Sequence, residues 1–497
     1  MIQIPLLQKR LQDTGKRKPL SLPIGFRSLI SVAYLFLFLV LAGSILLSCS
    51  NKQDDQNYRR YLHQDRKIEG KAGILLTALG QPEEYDFAFF DRYLNQIFHA
   101  AFPPILQPII MGDNGTVLMD PDHLDAPEEF TPKKLIDCFG HAKNGEGVSY
   151  TELEVEWVPP RDEESPGHFL LKEKNGYVDI VEKVSIKIVA SYYGKMPNKK
   201  IPFMEQHIAI FDDLQLLLSA HFPGVPVRWA WSMYPETIEH AVNELIEEKA
   251  ETIVVCDFFH VYSALEEFNS LFVEVKDAVA ERAKVVFTPY PSAYPSYRRA
   301  YVKMAEDDIL PLPQGERKLL VLTRHGFPEI PGDPYPELAR VFYLNVQKEI
   351  ETALTGTNTV VLFADTDFAG EDMDPREEKL ASFEALEMGL EEKYDHIIFL
   401  LVDFMAENTD SIFAMRIETF EHLHFHYEGK VPYADFSKPF RTELKKGKSR
   451  IVVAGTPVGK YRPFITQGYF EAIATVLREE AWPQLILEVE EKKEGMF

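Results

Sequence analysis

The chain has 497 residues, 45% of them hydrophobic and 12% aromatic, which excludes a disordered polymer and provides apolar mass for two cores. A formal charge of −24 argues against nucleic acid or anionic lipid as partners of the body and favours cations, although much of such an excess serves solubility. Of three cysteines, Cys138 and Cys256 follow Cys49, so neither a disulfide framework nor a Cys-x-x-Cys metal site is implied.

The N-terminus opens with Lys9, Arg10, Lys16, Arg17, Lys18 and Arg27, and then an apolar run from Leu29 to Leu47 ends in Leu46-Leu47-Ser48-Cys49. Residues 1–49 carry +5, so the remainder carries −29. The pattern reads as a signal peptide with a lipobox-like site, or as an uncleaved anchor long enough to span a bilayer. Either reading tethers the body to a membrane on the extracytoplasmic side; a start codon placed too early, with a cytoplasmic protein beginning near Lys71, is the third reading. Residues 50–70, rich in Asn, Gln, Asp and Arg, read as a tether.

A first α/β half is expected over 71–311. GILLTALGQP at Gly73–Pro82 is a short buried strand entering a glycine turn. The stretch 112–184 reads as an insertion, with alternation at TELEVEWV and VEKVSIKIVA predicting short strands. A helix over Ile238–Lys249 then feeds a strand over Ile253–Cys256, whose cysteine reads as a buried hydrophobe, and Ser296–Asp308 is a second helix.

A second half is expected over 318–482. LLVLTRHGFP at Leu319–Pro328 matches GILLTALGQP without a gap: Thr323 on Thr77, Gly326 on Gly80, Pro328 on Pro82, with His325 where Leu79 stands. TIVVCDFFHVYS and IIFLLVDFMAEN likewise carry Asp257-Phe258 and Asp403-Phe404 at a strand end. Helix Leu338–Leu354, strand Thr359–Ala364, helix Glu377–Lys393 and strand Ile397–Val402 alternate, predicting an α/β protein of two related Rossmann-like halves with mostly parallel sheets facing across a cleft. Ligands of such sheets bind beyond the strand ends, where His325 falls.

LLTALGQPEE, DFFHVYS, TRHGFP followed by GDPYP, VDFMAENTDSIF and PFITQGYFEAIATVL resemble, in that order, the landmarks of ferrochelatase and the related type II tetrapyrrole chelatases over roughly Lys71–Glu480, apart from the insertion. The resemblance implies two halves clamping a macrocycle, a histidine at His325 and a facing carboxylate at Asp410. It implies insertion of a divalent metal, Fe²⁺ favoured, into a porphyrin for haem synthesis, with cobalt or nickel insertion into another tetrapyrrole as the alternative. The metal is a substrate, and no tightly bound cofactor is implied. Asn408 stands where the family places a histidine, Asp410 is shorter than its glutamate, and FADTDFAGEDMDP at Phe363–Pro375 replaces its Gln-Ser and Trp-Leu-x-Pro landmarks.

The chemistry suits these residue types. Metallation removes two pyrrole protons and strips water from a cation, which calls for a base near neutral pH and a hard ligand. His325 and Asp410 are the candidate catalytic pair; Glu407 and His260 are candidate further metal ligands. Leu79, Tyr262 and Ser263 are candidate macrocycle contacts, with Phe98, Phe102 and Tyr290 as further aromatic walls. A helical turn would align Asp403, Glu407 and Asp410, with Glu418 and Glu421 beyond, as an acidic line toward His325. Asp365, Asp367, Glu371, Asp372 and Asp374 make a second acidic loop, and a strand through His422, His424 and His426 would align three imidazoles. A non-catalytic tetrapyrrole or metal carrier, and more remotely a solute-binding lipoprotein, are the readings from other classes.

Overall fold

The computed structural model describes residues 64–86, 89–90, 116–118, 154–158, 168–173, 176–177, 189–261, 267–326, 335–366, 369, 379–423, 425, 427 and 429–483. The N-terminal apolar run lies outside them, and among the described residues no helix is long and apolar enough to cross a membrane.

Two sheets carry the molecule. The first contains β1 (Ala72–Ala78), β6 (Val227–Trp231), β7 (Thr252–Asp257) and β8 (Lys284–Phe287), in the order β6-β1-β7-β8, all parallel. The second contains β9 (Lys318–Arg324), β10 (Thr359–Asp365), β11 (His396–Leu401), β12 (Thr442–Lys446) and β13 (Ser449–Ala454), in the order β10-β9-β11-β13-β12, with β12 alone antiparallel. Counted within each half, both parallel runs read second, first, third, fourth, the flavodoxin-like winding whose switch point lies between the first and third strands. Strands buried on both faces explain the unbroken apolar runs: every residue of β1, β7 and β11 is buried.

The duplication extends to single bonds. Phe258 N donates to Thr77 O (2.8 Å), and Val402 N to Thr323 O (3.0 Å). Ser232 N donates to Ala78 O, and Thr366 N to Arg324 O, both at 2.9 Å. Gly80 and Gly326 each have φ of +91°, a conformation that glycine alone adopts readily. The second expected correspondence is displaced, however. Thr77 pairs with Asp257 whereas Thr323 pairs with Leu401, so Asp403 stands level with Phe259, two residues beyond Asp257.

Between these strands run α1 (Phe203–His221), α2 (Pro235–Glu247), α3 (Glu267–Val279), α4 (Pro295–Ile309), α5 (Tyr335–Ala353), α6 (Ser382–Glu391), the short α7 (Met415–Thr419) and α8 (Arg462–Leu477). Proline in the first turn of α2, α4 and α8 pre-sets φ where no backbone donor is lost. The halves exchange their last helices. α4 packs against α5 and β11 of the second half, and α8 packs against α1 and β7 of the first. Phe258 stacks on Tyr469 at 3.9 Å, and Tyr297 meets both Tyr469 and Phe342 edge-on. One apolar core therefore runs through both halves.

The insertion is a small antiparallel sheet: β2 (Thr116–Leu118), β3 (Glu154–Val158), β4 (His168–Glu173) and β5 (Gly176–Tyr177). The end of the second alternating stretch departs from expectation, since 189–195 are helical. The tether also ends sooner than expected. Gln64 brackets Phe287 with two hydrogen bonds (2.7 and 3.3 Å), Glu69 N donates to Thr252 Oγ1 (2.9 Å), and Arg66 covers the Trp482 ring at 3.6 Å. Residues 64–70 thus run beside β8, covering a sheet edge that would otherwise be open.

Candidate active site at the second switch point

β9 delivers Arg324 and His325 to the point where the second sheet reverses its strand order, and β11 delivers Asp403 beside them. The His325 main chain is held from two sides: its N–H donates to Asp403 Oδ2, and its carbonyl accepts from Thr366 Oγ1 (3.0 Å). The ring is fixed as well, with Nδ1 3.0 Å from Gly326 O and the imidazole edge-on to Phe404 at 6.0 Å. A carbonyl only accepts, so Nδ1 carries the proton and Nε2 is the lone-pair nitrogen of the neutral ring.

Around this loop lies a buried polar cluster. The Tyr343 hydroxyl of α5 donates to Asp403 Oδ1, and His260, from the loop after β7 in the first half, sets Nε2 3.2 Å from that hydroxyl and 3.8 Å from Asp403 Oδ1. The tyrosine proton is committed to the carboxylate, so His260 Nε2 is the donor in its own bond. Burial depresses the His260 pKa, with Asp403 opposing, and keeps the ring neutral. Arg324 Nε donates to Asp365 Oδ1, and its guanidinium lies 4.9 Å above the Tyr343 ring. Burial opposes the Arg324 charge, yet the Asp365 carboxylate more than offsets it and raises that pKa; burial also raises Asp365.

The segment after β11 clasps the first half. Gln81 exchanges two hydrogen bonds with Thr409 (2.9 and 3.2 Å), and Gln206 accepts from Glu407 N (2.7 Å) while donating to Tyr433 Oη (3.0 Å) and Phe436 O (2.9 Å). Tyr192 stacks on Phe413 at 4.3 Å, with nearly parallel rings, within an apolar cluster shared by the two halves. Asp410 opens a π-helical turn over Asp410–Ala414 and is half-buried. Such turns inside helices frequently mark functional sites.

Several expected site residues are placed differently. Glu407 is fully buried, with Oε1 accepting from Phe440 N (2.8 Å) and Thr456 N (2.9 Å), and Oε2 from Ser411 Oγ (2.7 Å). Those oxygens hold three chain segments together and are spent on the fold. His260 faces Tyr343 and Asp403 within the interior. Among the described residues, no group of three or more His, Cys, Asp or Glu side chains could hold a metal ion, so His325, Asp410, Glu407 and His260 do not form one cluster. The acidic line is broken for the same reason: Asp403 and Glu407 are tied into separate hydrogen-bond sets, and Glu418 is buried. Tyr290 is core. Leu79 is half-buried against the shared apolar cluster. His422 lies in a 3₁₀ turn, not a strand, bonded to Glu387. Tyr262, Ser263, Phe98, Phe102, Pro334 of GDPYP, Asp367, Glu371, Asp372, Asp374, His424, His426 and the Glu421 side chain lie outside the described residues.

Fold and site together define a two-halved α/β protein with an oriented histidine at the switch point of one half. Residues 175–361, from the end of the insertion to the start of β10, match the family model described as Ferrochelatase; the segment includes His260 and His325 and stops short of Glu407 and Asp410. Similar solved structures include SirB from Bacillus subtilis with Fe³⁺ (11% identity, 55% of this chain and 88% of that one, TM-score 0.37). A putative LacI-family transcription repressor from Corynebacterium glutamicum is another (11%, 56% and 88%, TM-score 0.25), as is a sugar transporter from Clostridium phytofermentans (7%, 55% and 89%, TM-score 0.22).

Proposed function

We propose that this protein is a metal chelatase of the ferrochelatase type, inserting a divalent metal, Fe²⁺ in the first instance, into a porphyrin. The observation that carries the reading is His325: its backbone and Nδ1 are tied down at the switch point, which sets the direction of the ring, and it lies within the ferrochelatase-matching segment. In the reaction two pyrrole N–H bonds break, the cation exchanges water ligands for bonds to the four ring nitrogens, and two protons leave. His325 accepts protons from the macrocycle, and Asp410 is its carboxylate partner in stripping water from the cation. Leu79, with Tyr262 and Ser263, contributes to the macrocycle-binding wall. Glu407 is not counted among the metal ligands, because its oxygens are already engaged. The N-terminal apolar run tethers the protein to a membrane, leaving the acidic body on the extracytoplasmic side.

Metallation by the full chain, with Fe²⁺, Co²⁺, Ni²⁺ and Zn²⁺ offered separately, tests this reading. Turnover with one metal preferred supports a chelatase and names its metal. Stoichiometric tetrapyrrole binding without turnover favours the carrier, a reading to which Asn408 and the altered Phe363–Pro375 segment also lend weight.

A further inference from the structure

We propose that Asp403 is the positioning residue of His325, and that His260 reaches across from the first half to hold Asp403 through Tyr343 instead of ligating metal. The proposal rests on His325 being the proton acceptor of metallation.

The strand geometry creates the need. Regular pairing of β9 with β11 ends where Val402 N reaches Thr323 O, and the His325 N–H beyond it bonds to a side chain in place of a strand carbonyl. Asp403 supplies the acceptor from its side chain, and a charge-assisted bond of this kind fixes the loop more firmly than a neutral one. The first half offers a built-in comparison. The residue level with Asp403 there is Phe259, and the residue level with His325 is Leu79, so the carboxylate occurs in the half that carries the imidazole.

Asp403 is itself 7% exposed and held by Tyr343 directly and by His260 through that tyrosine. Its other oxygen takes the Tyr343 hydroxyl, and that hydroxyl oxygen takes His260 Nε2–H at 3.2 Å. The hydrogen bonds converge on Asp403, which accepts the Tyr343 hydroxyl, itself held by His260 of the first half, on one oxygen and the His325 amide N–H of the second half on the other. Facing the carboxylate are His260, Tyr343 and, from the strand end, Arg324, whose charge is engaged by Asp365. Loosening any link lets the His325 loop turn, and a displacement of about 1 Å in a reacting group costs on the order of a hundredfold in rate.

The test uses the full chain and the variants Tyr343→Phe, Asp403→Asn and His260→Gln, with Zn²⁺ and a water-soluble porphyrin as probes. Two readouts are taken: kcat and both KM values, and the His325 imidazole resonance in ¹³C-histidine-labelled protein, identified by its loss in His325→Ala. The expected result is a fall in kcat of about tenfold or more, both KM values within about twofold of wild type, and a displaced His325 resonance. Unchanged kcat with an unmoved resonance in Tyr343→Phe and Asp403→Asn would overturn the proposal. So would a His260→Gln variant that raises the metal KM while keeping kcat, since that is the behaviour of a ligand. If the wild-type chain forms no metalloporphyrin, the chelatase reading fails separately. The resonance then decides positioning alone: a shift in the variants sustains it and an unmoved signal refutes it.

Discussion

At Glu407 the same residue type that suggests a metal ligand in the sequence turns out to be a structural tie. Its carboxylate gathers Phe440 N, Thr456 N and Ser411 Oγ in a site closed to solvent. Glu407→Ala strands those buried donors and is expected to destabilise the protein by at least about 3 kcal/mol, measured by denaturant unfolding. A loss below about 1 kcal/mol would mean that the oxygens are not committed to the fold. His207 gives a pH signature. Burial among Phe203, Phe211, Trp231 and Phe258 holds its imidazole down to about 4, against about 6.5 for an unfolded histidine. Between those values the unfolded chain binds the extra proton, so stability falls as pH is lowered from about 6.5 to about 4, by about 3 kcal/mol in all from this residue. His207→Phe is expected to lose less stability than wild type between pH 7 and pH 4.5; equal losses would place the acid sensitivity elsewhere.

At the scale of elements, much of the architecture was legible because short apolar strands and periodic helices alternate. The expected Thr359–Ala364 strand is β10, and the expected Ser296–Asp308 helix is α4 extended by one residue at each end. The duplication was legible through Thr77, Gly80, Thr323 and Gly326, since the turn needs glycine in both halves. What was not legible depended on register and on packing between distant segments. Asp257 and Asp403 look equivalent in sequence but differ by two positions along their strands, so Asp257 accepts from Thr77 Oγ1 (2.7 Å) whereas Asp403 reaches the His325 loop. The partnership of His260 with Tyr343 joins residues 83 apart and leaves no local pattern. The turn itself makes a sharp prediction. A Cβ on Gly80 would lie 2.7 Å from Trp231 Cβ and sit at positive φ, so Gly80→Ala is expected to destabilise by about 1–3 kcal/mol in thermal or chemical unfolding. A neutral effect would mean that the turn can relax out of that conformation.

At the scale of the whole molecule, the exchange of α4 and α8 makes each half depend on the other. Gly468 lets the helices approach closely: a Cβ there would meet Tyr297 Cβ at 2.6 Å. Gly468→Leu is therefore expected to lower stability by several kcal/mol and to do so in one cooperative transition, seen alike by tryptophan fluorescence and circular dichroism. Two separated transitions would show that the halves are independent folding units. The same interlock bears on function, because it fixes the spacing between the first-half residues His260 and Leu79 and the second-half His325. On the proposed reading, His325 carries the chemistry of a metallation site built on this frame. The most direct test is the single-turnover metallation rate of the full chain against His325→Ala, with porphyrin binding measured on the same samples. With His325 as the proton acceptor, the variant's rate is expected to be lower by about a hundredfold or more with binding retained. An unchanged rate in the variant would show that His325 takes no part in metallation.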